Sequence, residues 1–256
     1  MRNKLQDSIK AGKKTLGTFM NFGNADFAEC IGLAGLDYII VDTEHGPHDV
    51  EYAADLLRAV ESQGATGLAR VKDSSRPSIL KMLDIGAKGI IIPNIHSIEE
   101  IKAVVEYGKY YPEGQRGFAT ARAAGYGFAD YSANLIEYMS LSNQKTMLIP
   151  QCETLESLEQ IEEIASLQGV DGIFVGPFDL SQAMGKVTQF DLPEFQEALQ
   201  RILKACKTAE IPSFIYATTP ESAKQYFQMG FDSVALSMDI NVFTNAYKDL
   251  VKKTFS

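Results

Sequence analysis

The stretch LDIGAKGIII, residues 83–92, carries the chain from an amphipathic helical segment into a run of isoleucines through a turn that contains glycine. The phrases GLAGLDYII (32–40) and FQMGFDSVAL (227–236) have the same plan. Glycine fits the left-handed residue that ends many helices, and the apolar run after it fits a strand covered on both faces. These phrases predict repeated helix-to-strand units.

The same alternation recurs along the whole chain. Eight short apolar runs are predicted strands, at residues 15–20, 37–42, 66–71, 89–93, 146–153, 171–176, 212–217 and 233–237. Most are separated by segments of helical period, such as VEYAADLLRAVES and LPEFQEALQRILKACKTA. Strict alternation favours an α/β fold, a (β/α)8 TIM barrel, as a single domain over residues 1–256. The alternative is an open doubly wound sheet, but no G-x-G-x-x-G follows the first strand.

Composition and charge limit the classes of partner. The chain has 45% hydrophobic and 22% charged residues, and its net charge of −9 argues against a nucleic acid or an anionic membrane. The N-terminus lacks an apolar segment of signal-peptide type, and apolar runs of about six residues are too short to span a bilayer. Three unclustered cysteines suit a reducing compartment, so we expect a cytoplasmic protein.

One segment breaks the alternation of strands and helices. Residues 113–145 are rich in Gly, Ala and Tyr and are longer than the other connections. Loops of this length in compact domains are usually functional or mobile. We therefore expect a long loop excursion near the mouth of the barrel, which is the end where the strands terminate.

Candidate active-site residues follow the predicted strands at the ends where barrel enzymes place their chemistry. They are Asp42, Glu44, His45, Arg70, Gln151, Glu153, Phe178 and Asp179. Because all strand ends of a barrel meet at one rim, a base, a carboxylate pair and an arginine are expected to converge.

Glu153 and Asp179 lie one β/α step apart, so a barrel would place them side by side. Two carboxylates completed by water make an oxygen-rich site that suits Mg²⁺ or Mn²⁺ better than zinc. The alternative is a pair of ordinary exposed loop carboxylates. The Gly-Pro turn before Phe178 favours a binding site, because it presents backbone N–H groups to an anion.

The basic side chains each have a structural alternative. Arg70 ends an apolar strand, where it binds either substrate oxygens or Asp42 or Glu44. His45 is either a proton acceptor or a structural residue at the start of a helix. His48 and His96 are expected to be ordinary surface residues. Lys72 precedes the charged turn DSSRP, which argues against a Schiff-base lysine.

Several phrases occur in the order and near the spacing of a known family. They are VDTEHGP, an arginine that ends strand three, LDIGAKGIIIPN, YPEGQRGF, PQCET and VDGIFVGPFDLS. Together, from near Leu16 to the C-terminus, they make the chain resemble the HpcH/HpaI aldolases, metal-dependent class II pyruvate aldolases. No single phrase would be specific.

The resemblance implies reversible cleavage of a 4-hydroxy-2-oxo acid to pyruvate and an aldehyde through a metal-stabilised pyruvate enolate. It implies that Glu153 and Asp179 hold Mg²⁺ or Mn²⁺, with Co²⁺ as a further candidate. It implies that His45 acts on the base side, paired with Asp84, and that Arg70 stabilises the enolate.

The resemblance also implies supporting groups and an assembly. Gln151 and Asp42 support the site, and backbone amides at Phe178 and Asp179 hold the pyruvate carboxylate. Relatives form trimers or hexamers that exchange a C-terminal helix, so Asp84 could complete the site of a neighbour. The departures from the family pattern fall where the aldehyde would sit: GPH after His45, the bulk of Phe178, and the phrase AAGYGFADY.

Two rival functions fit the same sequence. A related lyase could act on a CoA ester or a citramalate-like substrate, although no basic patch or added domain is present to bind a nucleotide. A non-catalytic barrel could instead bind a 2-oxo acid, since a fold by itself never proves activity.

Overall fold

The glycines that end the predicted helices adopt backbone conformations that other residues rarely take. In the computed structural model, which describes residues 2–256, φ is +84° at Gly35, +101° at Gly86 and +126° at Gly230. Each glycine lets the chain leave a helix and enter a strand within a few residues. The predicted helix-to-strand units are confirmed.

Eight parallel strands close into a barrel in the order β1 to β8, which confirms the predicted fold. The strands are β1 Thr15–Met20, β2 Tyr38–Asp42, β3 Thr66–Arg70, β4 Gly89–Ile92, β5 Met147–Cys152, β6 Ile173–Val175, β7 Ser213–Ala217 and β8 Ser233–Met238. The sheet closes where Thr15 of β1 pairs with Ser233 of β8. An open doubly wound sheet is therefore excluded.

Helices surround the barrel and connect its strands. They are α1 Lys4–Lys10, α2 Ala25–Gly32, α3 Val50–Ser62, α4 Arg76–Asp84, α5 Ile98–Gly108, α6 Leu135–Lys145, α7 Leu155–Glu159, α8 Ile161–Ser166, α9 Pro177–Ala183, α10 Pro193–Thr208, α11 Pro220–Met229 and α12 Asp239–Phe255. Across residues 2–256, none of them combines the length and the apolar composition that crossing a membrane requires.

The core has two layers, one between the barrel and its helices and one inside the barrel. The inner layer contains Tyr38, Ile40, Leu68, Ile149 and Phe174, which are almost completely buried. Alternate residues of each strand supply this layer, because successive side chains point to opposite faces. The interior is therefore filled below the mouth.

Helix α1, which sequence analysis did not predict, closes the end of the barrel opposite the mouth. Leu5 joins the inner core layer, and its backbone N–H donates to Thr66 Oγ1 at 3.1 Å. The Asn3 side chain donates to the carbonyl oxygens of Lys88 and Lys145, next to the starts of β4 and β5. Seven residues are too few to show a clear period when they are mostly polar.

The segment 113–145 differs from the expected loop near the mouth. It contains two short 3-10 helices, Arg122–Gly127 and Asp130–Ser132, and it ends in α6. Arg122 donates to the carbonyl oxygen of Ile85 at 2.9 Å, so the segment packs at the closed end of the same chain. A helix forms here because Asn134 caps the first turn with its side chain.

Lys109, the residue directly after α5, joins three segments of the chain at the end of the barrel opposite the mouth. Its side chain is 1% exposed, and Nζ donates to the carbonyl oxygens of Asn143 and Thr146, each at 2.8 Å. Nζ also lies 2.7 Å from Asp171 Oδ2. Burying an ammonium group is tolerable only because all three acceptors are present.

Lys109→Met should lower the free energy of unfolding by about 3 kcal/mol, because it leaves the Asp171 carboxylate, whose side chain is only 22% exposed, without its cation. Urea unfolding at fixed protein concentration measures the loss. The matched control is Lys102→Met in α5, where the exposed ion pair with Glu99 should contribute less than about 1 kcal/mol. Equal losses in the two variants would contradict this assignment.

Candidate active site

The alternation of side chains along each strand carries polar groups into the mouth. Ile40 and Leu68 belong to the inner core layer, so Asp42 and Arg70, two residues further along β2 and β3, also face inward. The same rule places Gln151 of β5 above an inner core residue. The last inward position of several strands is therefore polar, and these positions form the floor of the site.

Arg70 is held on three sides. Asp42 and Arg70 are register partners in β2 and β3, and Arg70 Nε and Nη2 donate to Asp42 Oδ1 and Oδ2 at 2.9 and 2.6 Å. Arg70 Nη1 lies 3.1 Å from Glu44 Oε2, and the guanidinium lies 4.9 Å from the ring centroid of Phe19. The planar ion is thus fixed before any substrate binds.

Asp42 also shapes the turn that carries the histidine. Its Oδ1 accepts from the backbone N–H groups of Glu44 at 3.1 Å and His45 at 3.4 Å, and its Oδ2 accepts from Asn21 Nδ2 at 2.7 Å. Burial acts to raise the pKa of Asp42, but the hydrogen bonds and charge of Arg70 outweigh it and keep the pKa below its usual value. The His45 side chain is left 68% exposed at the mouth.

Glu153 is a buried carboxylate in acidic surroundings. Its Oε1 accepts from the backbone N–H of Asn94 at 2.7 Å, and its Oε2 accepts from Gln151 Nε2 at 2.8 Å. Burial raises the pKa of Glu153 to about 7, and the negative charges of Asp179 and Glu44 add to this effect. The site therefore has a deficit of positive charge next to Glu153.

Two backbone features make room for Glu153. A Cβ atom at Gly176 would lie 2.5 Å from Glu153 Oε2, so only glycine permits this approach of β6 to the carboxylate. Asn94 has φ of +55°, a left-handed conformation that asparagine tolerates better than most residues and that points its N–H at Glu153. The turn at Gly176 therefore leaves space for the Glu153 carboxylate, and the turn at Asn94 supplies it with a hydrogen bond.

The donor set fits a hard divalent cation. Glu153 and Asp179 line the same cavity, and Gln151 Oε1 is a buried acceptor with no hydrogen-bond partner. Among residues 2–256, no three His, Cys, Asp or Glu side chains form a ready-made metal cluster. Water or substrate oxygens would therefore complete the coordination, as is usual for Mg²⁺ and Mn²⁺.

The mouth is divided into two lobes that share His45, Arg70 and Asp179. The first, here called the polar lobe, has a volume of about 680 Å³ and also contains Glu153. The second, here called the aromatic lobe, has a volume of about 370 Å³. Its walls include Phe19, Phe174, Phe178, Tyr216 and Met238. A molecule that contacts the shared residues can extend into either lobe.

Residues 15–246 match the model of a protein family described as HpcH/HpaI aldolase/citrate lyase. The chain belongs to this family. It is 32% identical to the hydroxypyruvate/pyruvate aldolase of Agrobacterium fabrum, over 97% of this chain and 92% of that protein. It is 31% identical to the 5-keto-4-deoxy-D-glucarate aldolase of Escherichia coli, over 97% of this chain and 95% of that protein.

A solved structure agrees with this assignment. The crystal structure of an HpcH/HpaI aldolase/citrate lyase family protein from Burkholderia cenocepacia covers 100% of both chains, with a TM-score of 0.91 and 27% identity. The resemblance and the prediction of a carbon–carbon lyase of the pyruvate aldolase type are confirmed. The separate residue roles inferred from family motifs stay predictions.

Asp84 lies outside the mouth of its own chain. It ends α4 and accepts from Arg116 Nη2 at 2.8 Å, and it lines neither lobe. Arg116, from the family phrase YPEGQRGF, stacks 4.8 Å from the ring centroid of Tyr110. Within one chain, Glu44 is the acidic neighbour of His45, with 3.8 Å between Glu44 Oε2 and His45 Nε2. A pairing of Asp84 with His45 would require a neighbouring subunit.

The other basic residues mostly follow expectation, with one exception. Lys72 is exposed and His96 is half exposed. His48, expected at the surface, is instead buried and stacked on Tyr52 with 5.2 Å between ring centroids. The His48 ring therefore packs on the first turn of α3, a contact that no local sequence pattern predicts.

Sequence analysis missed the aromatic wall of the site. Phe19, Phe174 and Tyr216 lie within strands, where aromatic residues look like ordinary core residues. The useful signal is position, since an inward-facing residue at the end of a barrel strand forms the top of the core and also lines the mouth.

Glu153→Gln should stabilise the protein at high pH when divalent cations are kept out. An acid whose pKa rises on folding, here from 4.5 to about 7, stabilises the fold below its unfolded pKa and loses that contribution as pH rises through the folded pKa. We expect the variant to be more stable than the parent at pH 8, by up to about 3 kcal/mol, with no difference near pH 4.5.

Urea unfolding in EDTA from pH 4.5 to 8 measures this difference. Glu159→Gln removes the same charge from an exposed position in the same β/α connection and is the matched control. A constant difference across this pH range would show that the Glu153 carboxyl is not destabilised by its surroundings.

Proposed function

We propose that the protein reversibly cleaves a 4-hydroxy-2-oxo acid into pyruvate and an aldehyde. The observation that carries this proposal is the arrangement at the mouth, where a fixed arginine, an exposed imidazole and a carboxylate pair meet. The names of two relatives support it, since both are aldolases and one name includes pyruvate. The substrate is a small molecule that binds across the shared residues of the two lobes.

Glu153 and Asp179 are the proposed ligands of a divalent cation, Mg²⁺ or Mn²⁺, with Co²⁺ as a further candidate. Burial, with the nearby charges of Asp179 and Glu44, raises the pKa of Glu153, and a cation there would favour its ionised form. When bound, it supplies Lewis-acid polarisation of the 2-oxo group and stabilises the negative charge that develops on that oxygen. Gln151 supports Glu153 through its amide N–H.

The chain's own residues bind the substrate and move its proton. The backbone N–H groups of Phe178 and Asp179, in the first turn of α9, hold the carboxylate of the 2-oxo acid. His45, directly or through water, accepts the proton of the C4 hydroxyl as the C3–C4 bond breaks and the aldehyde forms. Arg70, oriented by Asp42, offsets the negative charge left on the enolate oxygen, and protonation at C3 then gives pyruvate.

Pyruvate release from a panel of 4-hydroxy-2-oxo acids tests this assignment. EDTA should abolish turnover, and Mg²⁺, Mn²⁺ or Co²⁺ should restore it. His45→Ala should lower kcat by about 10²–10⁴-fold, the usual contribution of a general acid–base group. Coupling to lactate dehydrogenase measures the rate.

Measuring Mn²⁺ binding by calorimetry separates the proposed metal ligands, Glu153 and Asp179, from the proposed proton acceptor, His45. His45→Ala should retain Mn²⁺ binding, because His45 is not a proposed ligand. The double variant Glu153→Gln/Asp179→Asn should lose both Mn²⁺ binding and turnover. Unchanged Mn²⁺ affinity in the double variant would sink the ligand assignment, and full activity in His45→Ala would sink the assignment of the base.

We also propose a homo-oligomer, a trimer or hexamer, in which α12 is exchanged between subunits. One stripe of α12 carries Phe243, Tyr247, Leu250 and Val251, at the spacing of a single helical face, and all four are exposed. A contiguous apolar face of this kind usually marks an interaction surface. Exchange could also bring Asp84 of one subunit toward His45 of another.

Tyr247→Glu should weaken self-association, because it places a charge in the centre of the apolar stripe. We expect the subunit dissociation constant to rise by at least about 30-fold, as for removal of an interface hot spot of about 2 kcal/mol. Light scattering over a dilution series measures it. Asn245→Glu adds the same charge on the opposite face of α12 and should associate normally; a monomeric parent protein would refute the assembly.

A cytoplasmic location is proposed from the cysteines. Cys30, Cys152 and Cys206 are all free thiols, and the last two are buried. A chain that keeps three unpaired cysteines is suited to a reducing compartment.

A further inference from the structure

A continuous line of hydrogen bonds joins the start of α12 to the site. Asp239, the first residue of α12, is 3% exposed and accepts from the backbone N–H of Asn21 at 2.9 Å and that of Phe22 at 3.0 Å. The Asn21 side chain donates from Nδ2 to Asp42 Oδ2 at 2.7 Å. Since Asp42 holds Arg70, the line connects α12 with the arginine through the end of β1.

Asn21 uses only one half of its amide group. Within residues 2–256, its Oδ1 atom is buried and has no hydrogen-bond partner. A buried acceptor without a partner destabilises a fold, and an apolar side chain of similar size would avoid this cost. The benefit of asparagine at this position therefore comes from Nδ2, which donates to Asp42.

The contact with Asn21 fixes the Asp42 carboxylate from the end of a third strand. Asp42 Oδ2 accepts from Arg70 Nη2 at 2.6 Å as well as from Asn21. The bond from Asn21 opposes rotation of the carboxylate, and a bidentate pair transmits the plane of the carboxylate to the guanidinium. Because Oδ1 accepts from the backbone N–H groups of Glu44 and His45, the same rotation would also release the turn that bears the imidazole.

The residues that follow β1 pack on the first turns of α12. The Phe22 ring lies 5.8 Å from the ring of Phe243, and Phe27 lies 5.2 Å from Phe22 and 6.0 Å from Phe243, measured between centroids. These rings and the two hydrogen bonds to Asp239 tie the backbone at Asn21 to α12. A displacement of α12 must therefore move Asn21 or break these contacts.

We propose that Asn21 is a positioning residue that couples the docking of α12 to the orientation of the Asp42–Arg70 pair. This inference rests on the proposed aldolase function, in which Arg70 stabilises the enolate, and it adds a requirement for α12. When α12 is docked, Asn21 holds the pair in one plane; when α12 is displaced, the Asp42 carboxylate loses this support. Subunits that associate through the apolar stripe of α12 thereby favour the active arrangement.

Asn21→Leu keeps the approximate size of the side chain and removes both the Nδ2 donor and the unpaired acceptor. It should lower kcat by about tenfold or more, because a loosely held arginine stabilises the transition state less well. The KM for the 2-oxo acid should stay within about twofold of the parent value, and the urea midpoint should not fall. Unchanged kcat would overturn the proposal.

Asn24→Leu is the matched control for this variant. Asn24 is exposed, lines neither lobe and caps α2 by accepting from the backbone N–H of Phe27 at 3.1 Å. The same substitution there should lower the urea midpoint through loss of the cap and leave kcat unchanged. An equal loss of kcat in the two variants would assign the effect to general disturbance of the turn and overturn the role of Asn21.

Hydrogen–deuterium exchange of the segment 43–48 separates this inference from the proposed function, because it needs no turnover. Asn21→Leu should speed exchange of this segment in the whole protein by about tenfold or more, and Asn24→Leu should not. Unchanged exchange in Asn21→Leu would overturn the coupling whatever the activity. Faster exchange in a protein that cleaves no 4-hydroxy-2-oxo acid would support the coupling and overturn only the proposed reaction.

The contribution of α12 is tested at Asp239. Asp239→Asn keeps the size of the side chain but removes one of the two oxygens that accept from Asn21 and Phe22. It should also speed exchange of the segment 43–48, and combining it with Asn21→Leu should add nothing further. Additive effects would show that Asp239 acts by a second route, through its charge on His48, and would overturn the coupling through Asn21.

Discussion

The paired hydrogen bonds between Arg70 and Asp42 are the interaction on which the site depends. The two residues are register partners in the adjacent strands β2 and β3, so the pairing of these strands brings the ions together where water is largely excluded. Breaking such a buried pair costs about 3–5 kcal/mol, and this cost holds the guanidinium in one orientation. The same Asp42 carboxylate accepts backbone N–H groups from Glu44 and His45, so one side chain positions both the arginine and the turn bearing the imidazole.

Charge imbalance distinguishes the site from the rest of the barrel. Glu44, Glu153 and Asp179 lie around the single buried guanidinium of Arg70. Burial raises the pKa of both Glu44 and Glu153. An apolar barrel interior would be more stable than this arrangement, since buried carboxylates without full compensation destabilise a fold. A divalent cation bound together with an anionic substrate would correct this imbalance, because the cation supplies the missing positive charge.

The division of the mouth into two lobes follows from strand geometry. Side chains alternate along each strand, so the last inward residues of β2, β3 and β5 are polar while those of β1, β6 and β7 are aromatic. Polar and aromatic strand ends therefore occupy opposite arcs of one rim.

Much of this protein was determined locally by its sequence. Apolar runs of strand length, helix-ending glycines such as Gly86 and polar strand ends such as Asp42 and Arg70 led to the barrel and to the floor of the site, because alternation and capping act over a few residues. The aromatic lobe, the burial of His48 and the pairing of Asp84 with Arg116 were decided only by the tertiary structure. Each joins residues from separate strands or connections, and their approach depends on how the barrel closes and how its loops pack, which no local pattern encodes.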